Sequence, residues 1–386
     1  MPAMQATLHY FSERLRAASS SASPVRFRGG GSKDFYGQSL QGEVFDTRAY
    51  RGILSYEPSE LVMTVRAGTP MVEVQAALAE QGQCLPFEPP QFGAATVGGM
   101  VASGLAGPAR ASVGTVRDFV LGVRMLNGLG QDLTFGGQVM KNVAGYDVSR
   151  LMAASLGQLG LITEVSLKVL PVAPGEATLV CAGVSQAQAL ALLNQWGGQP
   201  LPLNASAWVH DDTRHPAQDC LFVRLRGAVA AVEAAVLTLS GHVQALGATV
   251  TRMDAHEAAA DWRASGEHTL PFFTQPPSSD ACLWRLSVPQ TAPVLNLQAL
   301  GVTDRSYIEW HGAQRWVWAA ASQADALRDL THNAGGHAVL FRTSTLHGDA
   351  DKAVGVFSPL DAVQQRIQDQ LKKQFDPAGI LNPGRI

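Results

Sequence analysis

Two stretches of the chain combine closely spaced glycines with small residues, a composition that suits binding of an anionic group by the backbone. The first is Gly29-Gly30-Gly31-Ser32, which follows the strand-like sequence Pro-Val-Arg-Phe-Arg and precedes Lys33. Successive glycines let backbone N–H groups converge into a concave nest that binds phosphate oxygens. The spacing matches neither a Walker loop nor the G-x-G-x-x-G dinucleotide turn. A turn without a ligand is the alternative interpretation, because short glycine clusters also punctuate loops.

The second stretch, residues 89–114, is a long loop in which small residues fill most of the gaps between glycines. Its glycines are Gly93, Gly98, Gly99, Gly104, Gly107 and Gly114. A loop of this length with so few large side chains cannot stabilise itself by packing. We therefore expect an extended cofactor to lie along its backbone. A third stretch, residues 141–171, contains Tyr146 in a Gly-Tyr-Asp sequence and then Gly157 and Gly160, which would again let backbone approach a ligand.

Composition limits the class of protein. The 386 residues suggest two or three domains, and 46% hydrophobic with 16% charged residues indicates a compact protein. A net charge of -3 argues against nucleic-acid binding, which needs a basic stripe. The sequence shows no run of 18 apolar residues and no secretory signal, so we expect a cytoplasmic protein without a transmembrane segment.

The four cysteines lie far apart in the sequence, at Cys84, Cys181, Cys220 and Cys282. Their spacing excludes CxxC pairs and the clustered runs that hold iron–sulfur centres or structural zinc. We expect buried reduced thiols and no metal in this chain.

The pattern of elements indicates an α+β protein. Residues 69–82 read as a helix with Thr69 at the N-cap and with Met71, Val74 and Leu78 on one face. An Asn-Gly turn at 127–128 predicts a hairpin. From about residue 176, strands alternate with Ala/Leu-rich helices, which suggests a second sheet with helices on one face.

Four motifs in the same order are found in one known family. FRGGGSKDFYG, FEPPQFGAATVGGMVASGLAGPAR, KNVAGYDVSRLMAASLGQLGLITEVSLKVLP and the terminal FDPAGILNPGRI together resemble FAD-linked oxidases of the vanillyl-alcohol oxidase type. Within that family the chain is most similar to the FAD-binding E subunits of bacterial glycolate oxidases. The resemblance implies a PCMH-type FAD-binding domain of two α+β subdomains over 1–174. It further implies an α+β cap domain with an antiparallel sheet over 175–345, and a helix and tail over 346–386 that return to the FAD domain.

The resemblance also implies which residues bind FAD, with the two glycine-rich stretches gripping its pyrophosphate through backbone amides. The implied set is Arg28, Gly29, Gly30, Gly31, Ser32, Lys33, Pro90, Gly93, Ala94, Thr96, Gly98, Gly99, Ser103, Gly104, Arg110, Tyr146, Ile162, Thr163 and Asn382. Relatives that bond FAD covalently often have a His in the first nest, whereas this chain has Gly31-Ser32-Lys33. We therefore expect non-covalent FAD.

Catalytic residues are harder to predict. The catalytic subunits of such oxidases carry a His-rich metal motif, of which His347-Gly348-Asp349 is only a fragment with one His. His337 and Arg342 are weak candidates for a base and a carboxylate anchor. Five positions apart on an ideal strand, their side chains would face opposite ways unless a bulge realigned them. We assume no bulge, so a structural role is the alternative. Arg110 is a second cation candidate.

The resemblance implies the FAD-binding subunit of a multi-subunit dehydrogenase for glycolate or another small 2-hydroxy acid. Its implied partners are a larger FAD-containing catalytic subunit and an iron–sulfur subunit, which could hold the complex at the inner membrane. Two alternatives stay open. The chain could be a self-sufficient FAD-dependent 2-hydroxy acid dehydrogenase, or a structural subunit with a non-catalytic flavin.

Overall fold

A computed structural model gives the fold, and it describes residues 2–137, 147–213, 216–302 and 305–386. The α-helices are α1 (Pro2–Ser20), α2 (Met71–Ala79), α3 (Val97–Ser103), α4 (Arg110–Val113), α5 (Val116–Phe119), α6 (Val148–Leu151), α7 (Gln186–Gly197), α8 (Val229–Gln244), α9 (Ala255–Gly266), α10 (Pro271–Thr274), α11 (Ala324–Asn333) and α12 (Ala362–Phe375). Their order along the chain places the first six before residue 152.

The strands of the described residues form four sheets. They are β1 (Val25–Arg28), β2 (Glu43–Asp46), β3 (Ile53–Glu57), β4 (Val62–Arg66), β5 (Gln83–Cys84), β6 (Val120–Leu126), β7 (Asp132–Gly136), β8 (Leu161–Lys168), β9 (Leu170–Pro171), β10 (Gly175–Ala182), β11 (Leu203–Asp211), β12 (Gln218–Gly227), β13 (Thr249–Arg252), β14 (Ala281–Ser287), β15 (Ser306–Glu309), β16 (Gln314–Ala320) and β17 (His337–Arg342). Helices and strands are thus interleaved, as in an α+β fold.

The chain divides into two compact units. Unit 1 comprises Met1–Ala106, Gly114–Val172 and Pro359–Ile386, and unit 2 comprises Gly107–Val113 and Ala173–Ser358. The sequence suggests changes of domain at 174 and 345. In the structure the second boundary follows Ser358 instead of residue 345. The short segment Gly107–Val113 also belongs to unit 2. In unit 2, Trp310 Nε1 donates to Gly107 O at 3.0 Å and Ser112 Oγ lies 2.9 Å from His311 Nε2, which accounts for that assignment.

Unit 1 contains two α+β parts. In the first, β1 and β2 pair in parallel, and α1 contributes Phe11 and Leu15 to an apolar core that also contains Phe45 of β2. The second is an antiparallel sheet of order β3-β4-β8-β6-β7. The hairpin from β6 to β7 forms where the Asn-Gly turn predicted it. There Asn127 Oδ1 accepts hydrogen bonds from the amides of Leu129 and Gln131.

The C-terminal tail completes unit 1. Leu381 forms a parallel bridge with Val25 of β1, and both residues belong to the core around α1. The amide of Val25 donates to Ile380 O at 2.9 Å. The tail therefore returns to unit 1, as the sequence resemblance implied, and it does so by a parallel bridge to the small β1-β2 sheet.

Unit 2 is built on an antiparallel sheet of order β13-β10-β12-β11-β15-β16-β14-β17. Helices cover both faces, so the expectation of helices on one face is wrong. On β10, Leu179 shares a core with Val232 of α8, while the adjacent Thr178 accepts a hydrogen bond from Trp262 of α9. Successive side chains of a strand point to opposite faces, so α8 and α9 lie on opposite sides.

Helix α2 buries Met71, Val74 and Leu78, the face that the sequence pattern predicted. Its N-cap is Pro70 rather than Thr69. The Thr69 hydroxyl instead donates to Arg66 O at 2.7 Å and accepts from the Gly52 amide at 2.8 Å. A contact with a distant loop thus takes the place of the local cap.

Candidate functional site

Unit 1 contains a pocket of about 120 Å³ where the predicted glycine nest lies. Its walls come from the end of β1, the loop that follows it, α3, the start of β8 and the C-terminal tail. The lining residues are Phe27, Arg28, Gly29, Gly30, Gly31, Ser32, Lys33, Asp34, Leu40, Thr47, Ala67, Thr96, Gly98, Gly99, Ala102, Ser103, Leu156, Gly157, Gly160, Leu161, Ile162, Asn382 and Arg385. Segments distant in sequence therefore meet in one concave, glycine-rich site.

The nest has a specific steric requirement. A Cβ on Gly30 would lie 1.3 Å from Ala94 O, and one on Gly29 would lie 2.3 Å from Thr96 Oγ1. Gly31 has φ +73, a conformation that favours glycine. The close approach that excludes side chains is therefore made by the second glycine-rich loop, which packs behind the nest.

The amides of Gly30, Gly31 and Ser32 donate to no protein acceptor in the described part of the chain. They line the pocket, and consecutive N–H groups of this kind suit phosphate oxygens. The second loop differs, since the amides of Val97 and Gly98 donate to Thr69 O and Ala67 O at 3.0 and 2.8 Å. Both amides already donate to protein carbonyls. The structure therefore does not support binding of pyrophosphate by these two amides.

Three cations and one carboxylate line the pocket. Arg28 Nε donates to Asp34 Oδ2 at 2.7 Å, and Lys33 Nζ donates to Gln91 O at 3.2 Å. Arg385 is 5% exposed, and its guanidinium donates to Asp34 O at 2.8 Å and to Lys33 O at 3.3 Å. The excess of positive charge is suited to an anion such as a pyrophosphate.

Asn382 joins three segments beside the pocket. Its Oδ1 accepts from the Phe27 amide at 2.8 Å, and its Nδ2 donates to Leu156 O at 2.6 Å. A Cβ on Gly157 would lie 2.6 Å from that Nδ2 atom. The predicted cofactor residue at this position is thus held by both of its amide atoms to the protein, and it shapes the wall of the pocket.

The predicted cofactor residues divide into those that line the pocket and those that do not. Twelve of them belong to its lining, namely Arg28 to Lys33, Thr96, Gly98, Gly99, Ser103, Ile162 and Asn382. Those absent from its lining are Pro90, Gly93, Ala94, Gly104 and Thr163. Ala94 backs the nest, and Thr163 donates to Arg124 O at 2.9 Å within the sheet. Tyr146 lies outside the described residues.

Arg110 lies in unit 2, where its guanidinium carbon is 4.3 Å from the centre of the Trp310 ring. It therefore does not belong to the pocket of unit 1. The sequence places it in the flavin loop because it lies within the second glycine-rich stretch. The tight packing of segment 107–113 on Trp310 gives no signal in the sequence.

His337 and Arg342 lie on β17, an edge strand of the large sheet. The prediction that they face opposite ways is wrong. Arg342 pairs with Leu283 and His337 pairs with Ser287 on β14, with a register shift between Leu283 and Trp284 that makes Phe341 an extra residue. A bulge of this kind changes the alternation of side chains, and both residues come to one face.

A second arginine, Arg285, lies on the same face and pairs with Val339. Desolvation of the His337 ring, followed by the charges of Arg285 and Arg110, lowers the pKa of that histidine. Desolvation also lowers the pKa of Arg342. The guanidinium carbons of Arg285 and Arg342 lie 5.6 and 5.9 Å from the centre of the Phe341 ring. This cationic face is suited to binding a carboxylate.

Within the described residues, no group of three or more His, Cys, Asp or Glu side chains could hold a metal ion. The cysteines are free thiols, of which Cys181, Cys220 and Cys282 are buried. In the same part of the chain no helix has the length and apolar character needed to cross a membrane.

Comparison with known proteins assigns the family. A family model described as "FAD binding domain" matches residues 7–136, which include both glycine-rich stretches. Glycolate oxidase subunit GlcE of Escherichia coli (strain K12) is 41% identical over 375 residues, which cover 97% of this chain and 95% of that protein. The chain belongs to the glycolate oxidase E-subunit family. FAD is its cofactor, and the family is one of FAD-linked oxidoreductases.

A second relative matches about a third of the chain. Glycolate oxidase subunit GlcD of Bacillus subtilis (strain 168) is 31% identical over 128 residues, 33% of this chain and 27% of that protein. Among solved structures, alkyldihydroxyacetonephosphate synthase aligns with a TM-score of 0.68 at 15% identity, covering 97% of this chain and 75% of that one. This likeness shows the fold alone. The fold is therefore the α+β architecture of a PCMH-type FAD-binding domain with a second α+β domain.

The residues present fit this cofactor. The nest offers three amides without protein acceptors among the described residues, and the lining carries more positive than negative side chains. Arg385 and Asp34 were not predicted from the sequence. A single Arg near the end of a chain resembles any surface cation, and only the tail's return to β1 reveals its place.

Proposed function

We propose that this chain is the FAD-holding subunit of a multi-subunit dehydrogenase for glycolate or a related 2-hydroxy acid. The single observation that carries the proposal is the pocket of unit 1, with its nest amides and cationic lining, in a chain of the E-subunit family. The relatives GlcE and GlcD are both subunits of glycolate oxidases, which supports a multi-chain assembly. A larger FAD-containing catalytic subunit and an iron–sulfur subunit are the proposed partners.

The proposed contacts follow from the chain's own atoms. The amides of Gly30, Gly31 and Ser32 would donate to pyrophosphate oxygens, and Lys33 and Arg385 would offset their charge. Ile162 lies at the start of β8, where the adenine and ribose end would be bound. Bound FAD would supply two-electron redox chemistry. The nest contains no His, so the attachment is non-covalent.

In this proposal, the predicted cofactor residues that do not line the pocket support its walls. Pro90, Gly93, Ala94 and Gly104 shape the second loop, which supports the nest from behind. Gly104 ends α3 in a left-handed conformation, and a Cβ there would lie 2.7 Å from that of Ala154. Thr163 holds β8 to β6 through its hydroxyl. These residues would preserve the shape of the pocket rather than touch the cofactor.

The test compares the purified chain with the assembled complex. The chain alone should carry flavin that denaturation releases, and it should oxidise glycolate with an artificial acceptor far more slowly than the complex does. Equal rates would overturn the need for a partner. Colourless protein, or flavin that stays attached after denaturation, would overturn the cofactor assignment.

A second candidate function is a self-sufficient 2-hydroxy acid dehydrogenase. The cationic face of unit 2 favours it, since Arg342 could hold a carboxylate and His337 could accept a hydroxyl proton. His337→Ala should then abolish turnover and leave flavin absorbance intact, whereas His332→Ala, an exposed change on α11, should have no effect. Unchanged turnover in His337→Ala would exclude this candidate. Flavin in the complex that glycolate fails to reduce would instead indicate a structural cofactor.

A further inference from the structure

The two edges of the large sheet in unit 2 differ in how they are protected against pairing with another chain. The edge strand β17 carries His337 and Arg342 and has a bulge in its pairing with β14, and both charge and bulges discourage such pairing. The opposite edge strand, β13, has the sequence Thr-Val-Thr-Arg and pairs with β10 without a register shift. No other strand of the described residues pairs with β13. Its outer edge is therefore suited to accept a further strand.

The backbone groups on the outer edge of β13 follow from its register with β10. The amide of Met253, directly after the strand, donates to Thr178 O at 2.9 Å. In an antiparallel pair, alternate residues direct both their N–H and C=O groups to the same neighbouring strand. Thr251 therefore bonds to β10, as Met253 does, whereas Val250 and Arg252 direct their backbone groups outwards. Each of these two residues thus offers a donor and an acceptor to a further strand.

Helix α8 adds an exposed apolar side next to this edge. Arg252 Nη1 lies 2.9 Å from both carboxylate oxygens of Glu233, so this side of α8 faces β13. Val229 and Leu237 lie four residues before and after Glu233, on the same side of the helix, and they are 54% and 76% exposed. Apart from His242, Glu233 is the only ionisable side chain of α8, and Arg252 balances its charge. The edge thus combines open backbone groups with apolar side chains and little net charge.

Leu237 lies level with the middle of β13. A short turn joins the end of α8 to the start of β13, so the strand returns along the helix in the opposite direction. From Glu233 to Leu237 the helix rises about 6 Å, and from Arg252 back to Val250 the strand advances about 6.6 Å. Because Glu233 contacts Arg252, the most exposed leucine of the helix stands beside Val250.

We propose that this edge binds a second copy of the chain, with a two-fold axis through Thr251. In this register Val250 of each copy exchanges hydrogen bonds with Arg252 of the other, and the two Thr251 residues lie opposite each other. The two Leu237 side chains then approach one another above the paired strands. A symmetric dimer requires a patch that is complementary to itself, and the backbone groups and apolar side chains of this edge meet that condition.

Charge does not oppose this arrangement. Arg252 of one copy lies opposite Val250 of the other rather than opposite a second arginine, and its own Glu233 neutralises it. A different protein would need an unpaired strand edge of its own, with an apolar helix at the same spacing. A second copy supplies both features, and this is why it is the occupant that the edge fits. The interface does not involve the flavin pocket and is independent of the proposed function.

The size of the patch sets the expected affinity. A helix of 16 residues is about 24 Å long and about 10 Å wide, so its exposed side and the four-residue strand together offer roughly 300 Å². Stable dimers usually bury about 800 Å² on each partner. Association is therefore expected to be weak and reversible, with a dissociation constant on the order of 10 μM.

Sedimentation velocity of the purified flavin-loaded chain, from about 1 to about 200 μM, tests the dimer. The average mass should rise with concentration from that of a monomer towards twice that value. Leu237→Arg should keep the chain monomeric throughout, because like charges would meet at the two-fold axis. Leu346→Arg is the matched control, since this leucine is 59% exposed in the segment after β17, and it should dimerise as the unaltered chain does. A constant monomer mass of the unaltered chain, or equal effects of the two substitutions, would overturn the proposal.

Val250→Pro tests the backbone contact. The amide of this residue faces outwards, so proline removes a hydrogen bond to the second copy while the bonds of β13 to β10 remain. Association should weaken at least about tenfold. Circular dichroism and flavin content check that each variant is folded. A folded Val250→Pro chain that dimerises as strongly as the unaltered chain would refute strand pairing.

A cysteine crosslink tests the register. Residues directly opposite each other in a non-hydrogen-bonded antiparallel pair have Cα atoms about 4.5 Å apart, which permits a disulfide. Thr251→Cys should therefore give a crosslinked dimer when oxidised glutathione accepts the electrons and protons of the thiols and is itself reduced to its thiol. Thr249→Cys, on the same face of the strand, would lie about 13 Å from its counterpart and should stay uncrosslinked. Equal crosslinking of the two variants, or none in either, would refute the register.

Discussion

Gly30 shows how a single position links the two glycine-rich loops. The ideal Cβ position on this residue falls 1.3 Å from Ala94 O, a separation that no pair of non-bonded atoms can adopt. The other side of the same residue lines the pocket, where its amide has no protein acceptor among the described residues. Gly30 therefore serves packing on one side and, in our proposal, phosphate binding on the other.

Gly30→Ala should lose flavin and lower the free energy of unfolding by about 1–3 kcal/mol, because the second loop must move to admit the methyl group. The ratio of flavin to protein absorbance and urea unfolding measure the two effects. Gly137→Ala is the control, since a Cβ there would meet no atom of the described residues within 4 Å. Full flavin occupancy in Gly30→Ala would show that the nest is not the binding site.

The sequence predicted this nest but not which residue packs against it. Glycine spacing indicates that a Cβ is excluded, yet it does not say which neighbour excludes it. The neighbour is Ala94, 64 positions further along the chain. Similarly, the bulge at Phe341 that brings His337 and Arg342 to one face depends on pairing with β14, and no local pattern on β17 reveals it.

At the scale of elements, the C-terminal helix is linked to the tail by an ion pair between half-buried Lys372 and buried Asp376. Lys372 Nζ donates to Asp376 Oδ2 and Leu381 O, both at 2.7 Å, and to Gln158 O at 3.0 Å. Asp376 in turn accepts from the amides of Ile380 and Leu381. The terminal motif predicted a tail that returns, and these contacts explain how it is held.

Lys372→Met should lower the free energy of unfolding by about 3 kcal/mol, because Asp376 keeps a buried charge without its partner. Flavin should also dissociate faster, since the tail carries Asn382 and Arg385. Lys373→Met changes the exposed neighbouring residue and should alter neither quantity. Chemical denaturation and flavin release are the measurements, and equal behaviour of the two variants would contradict this role.

The turn after β15 contains a buried histidine that should make unit 2 sensitive to acid. His311 lies between Ser112 and Ser206, with ring nitrogens 2.9 and 3.0 Å from their hydroxyls. Burial lowers its pKa from 6.5 to about 4. Between pH 6.5 and about pH 4 the unfolded chain binds a proton at His311 and the folded chain does not. The contribution of neutral His311 to the free energy of unfolding is therefore fully present above pH 6.5 and is lost as the pH falls towards 4.

The expected loss over that range is about 3 kcal/mol for this group. His311→Asn should remove the corresponding part of the pH dependence, and Asn tolerates the positive φ of 56° at this position. Unfolding free energies of both proteins from pH 7 to pH 4 provide the measurement. Parallel curves for the two proteins would show that His311 is not responsible.

For the whole molecule, the division into two units predicts where the effect of the cofactor is felt. The proposed FAD contacts belong to unit 1, while the large antiparallel sheet belongs to unit 2. A ligand at about 100 times its dissociation constant adds roughly 2.7 kcal/mol to the stability of the state that binds it. Bound FAD should therefore stabilise mainly the elements that line the pocket against local unfolding.

Removal of flavin should accelerate amide hydrogen exchange at residues 29–33 and 382–385 and leave β14 and β16 of unit 2 unchanged. Mass spectrometry of peptides from the loaded and stripped chains makes the comparison. Readdition of FAD should restore the original rates. Uniform acceleration across both units, or no change at the nest, would contradict the assignment.

The position of Asn382 and Arg385 also has a consequence for biosynthesis. The wall of the pocket combines residues that are far apart in the sequence, because Asn382 bonds to Phe27 and Arg385 bonds to Lys33 and Asp34. A ribosome therefore completes the nest long before it adds these two side chains. In our proposal the FAD site is complete only after translation has passed residue 385, and polypeptides terminated before that point would not retain the cofactor.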